Sequence, residues 1–131
     1  VMTALNMADV LADVLSLDAV YAGRIDANQD RCVGVYNARN QPARRICIGG
    51  AACTRMHEKR FTVLIHWTDN PSQAEAQAEH AAAAIERIRN YRTEDAGVIR
   101  FAVPSQPVPV GFDERGIAEY AIETKVIYEE A

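Results

Sequence analysis

The side chains best able to hold a metal or act as a nucleophile are three cysteines and three histidines, and their spacing is poor for either task. Cys53 and His57 form the one local pair, with His66 further along. A structural zinc site takes four ligands, delivered as a rule in close pairs, so this set reads as buried thiols and incidental histidines. Cys32, Cys47 and Cys53 are odd in number and lack CxxC spacing, which argues against a disulfide framework and for free thiols. His66 falls in an otherwise apolar strand, where a hydrogen-bonded interior or subunit-facing histidine is expected rather than a catalytic base. Ser16, Ser72 and Ser105 have no GxSxG elbow around them, and Gly49-Gly50 is not followed by the GK[ST] of a phosphate loop. Asp26-Ala27-Asn28-Gln29-Asp30 imitates the start of a calcium loop. Arg31 then stands where that loop needs glycine, and Asn37 where it needs a bidentate glutamate. Glu119 and Glu123 share a strand face with Lys125, the pattern of a solvated surface. The expectation is a protein with no catalytic residue, no cofactor and no metal.

A net charge of -4 and a pI near 5.3 leave no general basic footprint for nucleic acid. Lys59 and Lys125 are the only lysines, the other basic residues being arginine. Arginine is enriched at protein interfaces, but a GC-rich genome, whose codons favour both arginine and alanine, is the preferred reading because alanine is abundant too. Arg39, Arg44 and Arg45 cluster in one polar connector, where they form a solvated loop or a docking arm.

The elements that would position these groups follow from periodicity. Arg60 to Trp67 alternates Phe61, Val63, Ile65 and Trp67 with Thr62, Leu64 and His66, which suits a central strand. Asn70 and Pro71 then open a long helix as N-cap and first helical residue, with Gln73 placed to reach back, and the helix runs to about Asn90. Ala74, Ala78, Ala81, Ala82, Ile85 and Ile88 form its buried stripe. Before this unit, Thr3 caps a first helix with Leu5, Ala8, Leu11, Ala12 and Leu15 inward. Ala19 to Ala22 reads as a short strand and Gly23 to Asp30 as loop. Cys32 to Tyr36 and Arg45 to Ile48 read as a hairpin, and Ala51 to Glu58 as a hinge. After it, Thr93 to Gly97 turns the chain and Val98 to Val103 returns as a strand, completing a βαβ unit. Pro104 to Gly116 reads as a proline-restricted loop. Ile117 to Tyr128 reads as a half-exposed strand with Ala118, Tyr120, Ile122, Val126 and Tyr128 inward. The expected fold is α+β, one domain over residues 1–131: a mixed, mainly antiparallel sheet of about four to five strands, with the long helix packed on it and an N-terminal helix. The start of the chain lacks a signal peptide's pattern, and synthesis and folding in a cytoplasm are expected.

Pro107-Val108-Pro109-Val110-Gly111-Phe112-Asp113-Glu114-Arg115-Gly116-Ile117-Ala118-Glu119-Tyr120 resembles the closing pattern of the small neck proteins of long-tailed bacteriophages, the tail terminator or minor capsid proteins. Arg60 to Trp67, followed by an acidic turn and an alanine-rich helix, is a second echo. The resemblance implies a structural virion subunit that forms a homo-oligomeric ring, a hexamer, at the head-tail junction. Such a ring ends the tail tube and joins it to the head. It implies tail-tube and head-completion proteins as partners, with DNA passing through the ring, and no membrane. Arg39, Arg44, Arg45, Phe112, Asp113 and Arg115 are the candidate interface residues. A small α/β ligand-binding or enzymatic domain, using a pocket beside residues 104–116, is the alternative.

Overall fold

A computed structural model describes residues 1–26, 28–43, 49–50 and 55–130. Helix α1 (Ala4–Leu15) begins at Thr3, whose hydroxyl accepts from the Asn6 amide at 3.2 Å while Asn6 Oδ1 accepts from the Thr3 amide at 2.8 Å. Two orphan donors are satisfied reciprocally, as in a capping box. Helix α2 (Pro71–Glu86) starts as its sequence dictates, with Asn70 Oδ1 accepting from the amides of Ser72 and Gln73 and Pro71 at the first position. Gln73 does not reach back as expected: its Oε1 accepts from the Thr68 hydroxyl at 3.4 Å instead.

Among the described residues the sheet has seven strands: β1 (Val20–Ala22), β2 (Cys32–Asn37), β3 (Met56–His66), β4 (Arg89–Arg92), β5 (Val98–Pro104), β6 (Val108–Phe112) and β7 (Ala118–Glu129). Their order is β1-β2-β3-β7-β5-β4, with β6 also on β7, and every pairing is antiparallel except β1 with β2. The α+β class and mainly antiparallel sheet agree with the sequence, but four to five strands was an undercount. The long β7 explains part of the difference. One of its edges is taken along its whole length by β3, while the other is shared between β5 and β6.

Several local expectations are corrected. The long helix ends at Glu86, and Arg89–Arg92 leaves it as β4, pairing with β5 through the expected turn in which Thr93 and Gly97 bond. Cys32–Tyr36 does not form a hairpin with Arg45–Ile48 along Val33 to Val35, because those residues have β1 on one edge and β3 on the other. Arg45–Ile48 itself lies outside the described residues. Met56 to Glu58 belongs to β3 rather than to a hinge. Most consequential for function, the proline-rich loop contains β6. Pro109 is tolerated because β6 lies at an edge, and Gly111, at φ +130°, takes up the bulge between Pro109 and Gly111.

Cross-strand register sorts the side chains onto two faces. Val33, Val35, Phe61, Val63, Ile65, Ile122 and Val126 lie on one face and form a single core with Met7, Ala8, Leu11 and Leu15 of α1 and Ala78, Ala81 and Ile85 of α2. The alanine stripe lets α2 lie close on the sheet. Leu5, expected inward on α1, is 61% exposed, and Met7 and Val10 take part in the buried face in its place. The other face of the sheet carries Tyr36, Arg60, Thr62, Leu64, Ala121, Glu123 and Lys125, half-buried or exposed and uncovered by either helix.

Candidate assembly surface

Strand β6 is exposed at all five positions, and Val108, Val110 and Phe112 show 56%, 57% and 61% of their surface. Among the described residues β6 pairs with β7 alone, and large apolar groups so exposed in an edge strand are unusual in a protein that works alone, because such an edge invites pairing. β7 holds the inner edge of this arm, in the register Val108 with Ala121 and Phe112 with Ala118.

Asp113 builds the turn that joins the arm to β7. Its Oδ1 accepts from the amides of Arg115 at 2.8 Å and Ile117 at 2.9 Å, and its own amide donates to the Ile117 carbonyl. These bonds, the Ile117 amide foremost, hold the Asp113 carboxyl below the usual carboxylate range against an opposing effect of desolvation, with the Arg115 amide and the charges of His66 and Arg115 helping.

The second oxygen of Asp113 faces a fully buried histidine. His66 Nε2 lies 3.5 Å from Asp113 Oδ2, too long for a good hydrogen bond, and Nδ1 lies 3.0 Å from Glu119 Oε2. An ionised carboxylate only accepts, so Nδ1 donates to Glu119. His66 and Glu119 are direct cross-strand neighbours, and Cys32 sits opposite His66 on its other side. Burial pushes the Cys32 thiol up, so that it stays protonated and inert; its Sγ donates to the Gln29 carbonyl at 3.6 Å. Among the described residues no group of histidine, cysteine and acidic side chains is placed to hold a metal ion.

The expected site residues do not form one cluster. Phe112, Asp113 and Arg115 lie together on the arm and its turn. Arg39 is exposed beyond the far end of β2, where the Ala38 amide donates to the Arg60 carbonyl. On β3, Arg60 and His66 are about 20 Å apart at the usual rise of an extended chain, so the two groups lie at opposite ends of β2, while β3 itself runs on from Arg60 to Met56. Arg44 and Arg45 lie outside the described residues. Near residues 104–116, a hollow of about 240 Å³ is lined by Arg60, Val103, Pro104, Ser105, Glu123, Thr124 and Lys125, smaller than the usual small-molecule pocket. Of these, Pro104 and Ser105 belong to the 104–116 stretch.

Sequence reasoning missed the arm and the partners of His66. Alternation of Val108, Val110 and Phe112 was a signal for a strand, outweighed by Pro107 and Pro109. His66 is interior and hydrogen-bonded, one of the two placements, interior or subunit-facing, that its apolar strand suggests. Its partners are distant in sequence and become visible only through the register of β3 and β7.

A family profile described as bacteriophage tail terminator protein matches residues 4–130. No curated protein matches the sequence. Among solved structures, a chain of the virion of native gene transfer agent (GTA) particle has a TM-score of 0.53 at 13% identity, covering 92% of this chain and 84% of its own. A second solved chain has a TM-score of 0.50 at 16% identity, covering 97% of this chain and 89% of its own. At such identities the likeness concerns the fold alone.

Proposed function

The chain belongs to the bacteriophage tail terminator family, and from that membership we propose that it acts as one domain in a homo-oligomeric ring, a hexamer, at the head-tail junction of a phage or prophage virion. The ring ends growth of the tail tube and joins it to the head, contacting tail-tube and head-completion proteins while DNA passes through. The role is structural and needs no enzyme activity or cofactor.

The observation that carries this reading is β6, an edge strand with Val108, Val110 and Phe112 all more than half exposed. A ring requires a heterologous contact, in which one surface of a subunit meets a different surface of the next. The arm, with Phe112 and its turn residues Asp113 and Arg115, supplies one surface. The arginine-bearing connector with Arg39, Arg44 and Arg45 supplies the other, and Arg39 and Asp113 lie beyond opposite ends of β2, so the two surfaces are distinct. Exposed ion pairs contribute little, so the apolar side chains of the arm carry most of the affinity.

Deleting the gene from the phage or prophage tests the reading. Headless tails, or tails of uncontrolled length by electron microscopy, are the expected result, and normal virions would end it.

A further inference from the structure

The buried histidine at the base of the arm has a geometry that a neutral ring cannot satisfy. Its two nitrogens face two carboxylates, Glu119 at 3.0 Å and Asp113 at 3.5 Å, and the ring is wholly out of solvent. Neutral imidazole carries one N–H, which Glu119 takes. Nε2 then turns a lone pair toward the carboxylate of Asp113, and it has no hydrogen-bond partner within good geometry. Imidazolium donates from both nitrogens and meets a negative charge on each side. Asp113 in turn holds the arm's turn through the amides of Arg115 and Ile117.

We propose that His66 is a proton-operated clamp on the β6–β7 arm: protonated, it draws the Asp113 turn onto the sheet, and neutral, it releases that turn and loosens Val108 to Phe112. The two charged groups on the ring's nitrogens agree in sign, while Arg115 on the turn and Arg31, whose guanidinium lies over the Trp67 ring, are cationic. Glu119 faces it from β7, and Asp113 and Arg115 belong to the turn. Cys32 faces it from β2, with Tyr36 further along that face and Asp26 and Asp30 within electrostatic reach of Cys32. Burial raises both the Cys32 thiol and the Tyr36 phenol, so both stay neutral, and the groups in contact with the ring on its two nitrogens are anionic. The clamp requires only the way the arm is attached, and stands or falls separately from the ring reading.

The test is NMR of the whole chain between about pH 5 and 9, the range in which histidine titrates. Imidazole nitrogen shifts report the protonation of His66, and amide hydrogen exchange, corrected for the intrinsic pH dependence, reports protection of Arg115, Ile117 and Phe112. The expected result is both nitrogens protonated at the acid end, and protection at the arm falling on the order of tenfold as the ring loses its proton, while core amides of β3 hold. Asp113→Asn supplies the second arm of the experiment. It keeps an oxygen for the Arg115 and Ile117 amides and presents an NH₂ to neutral Nε2, so His66 should titrate at lower pH and the step in arm protection should vanish. Arm protection that stays flat through the wild-type titration overturns the clamp, as does a ring never doubly protonated in the folded chain. The same step surviving in Asp113→Asn overturns it too. If that variant fails to fold, the wild-type titration decides alone. Any of these failures leaves the ring reading intact, whereas normal virions after gene deletion remove the ring and leave the clamp.

Discussion

The Tyr91 hydroxyl donates to Asp13 Oδ2 at 2.5 Å, joining β4 to α1 across 78 residues of sequence. α1 packs against β1 and β2 at one end of the strand order, and β4 is at the other end. One helix can reach both only if the sheet curls, and a second bond, from Asn6 Nδ2 to Asp95 Oδ1 at 2.8 Å, closes the same gap. Curling of this kind is what accumulated strand twist produces when a core sits on one face. It leaves the opposite face and the β6 arm outward.

The Tyr91 bond predicts a dependence on alkaline pH. Hydrogen bonding to Asp13 is the main cause pushing the Tyr91 phenol up to about 12, with burial and the charges of Asp13 and Asp9 adding to it. The fold favours the protonated phenol, so this stabilisation is fully present below the unfolded value of about 10 and is lost as pH rises through the folded one. Tyr91→Phe is expected to cost about 1 kcal/mol at neutral pH, with the deficit shrinking above about pH 10. Urea midpoints of the two proteins measured at several pH values would show it, and a deficit constant with pH would mean the bond is not responsible.

Register on β7 gives a second prediction. Ile122 is fully buried on the helix-covered face, whereas Glu123, one residue on, is exposed on the open face and accepts from the Thr62 hydroxyl at 3.0 Å. Ile122→Ala is expected to cost about 2–5 kcal/mol and Glu123→Ala about 0.5 kcal/mol. Denaturation curves with similar midpoints would indicate that the two faces are exchanged.

These faces were legible in the sequence because alternation along β3 and β7 is strict and the buried set is unambiguous. Both helix starts were legible for a similar reason, since Thr3, Asn70 and Pro71 act locally. What could not be read depends on distant partners. Arg89 to Arg92 looks like the end of a helix until β5 offers it an edge. Val108 to Phe112 looks like proline-restricted loop until the length of β7 leaves half an edge vacant for it. Leu5 suits a buried helical position, yet at the place where α1 begins it is left largely exposed. The pairing of His66 with Asp113 and Glu119 belongs to the same class, since each side chain is unremarkable alone.

Gly34 offers a test of the covering of the open face near β2. A Cβ there would lie 2.6 Å from Ile25 Cγ2 and 2.8 Å from the Tyr36 ring, so Ile25 and that ring are seated on a position with no side chain. Gly34→Ala is expected to destabilise by about 1–3 kcal/mol through overpacking, with amide shift changes centred on Ile25 and Tyr36. A neutral or stabilising effect would show that the Ile25 and Tyr36 side chains move aside freely.

The last prediction separates the two surfaces proposed for the ring. Val110→Ser combined with Phe112→Ser removes apolar area from side chains that are already more than half exposed, so the change in monomer stability should stay within about 0.5 kcal/mol. If the arm supplies the apolar contact between subunits, the same double variant, supplied in trans to a phage lacking the gene, should give folded protein but headless or over-long tails. Arg39→Glu with Arg44→Glu should do the same if the arginine-bearing connector receives the arm, and here salt should matter, because the attraction being reversed is between charges. The outcomes are distinguishable by electron microscopy of complemented lysates. Normal virions from the serine pair would remove the arm from assembly even if the arginine pair fails. Normal virions from the arginine pair alone would leave the arm in contact with some other surface, most simply that of the tail tube.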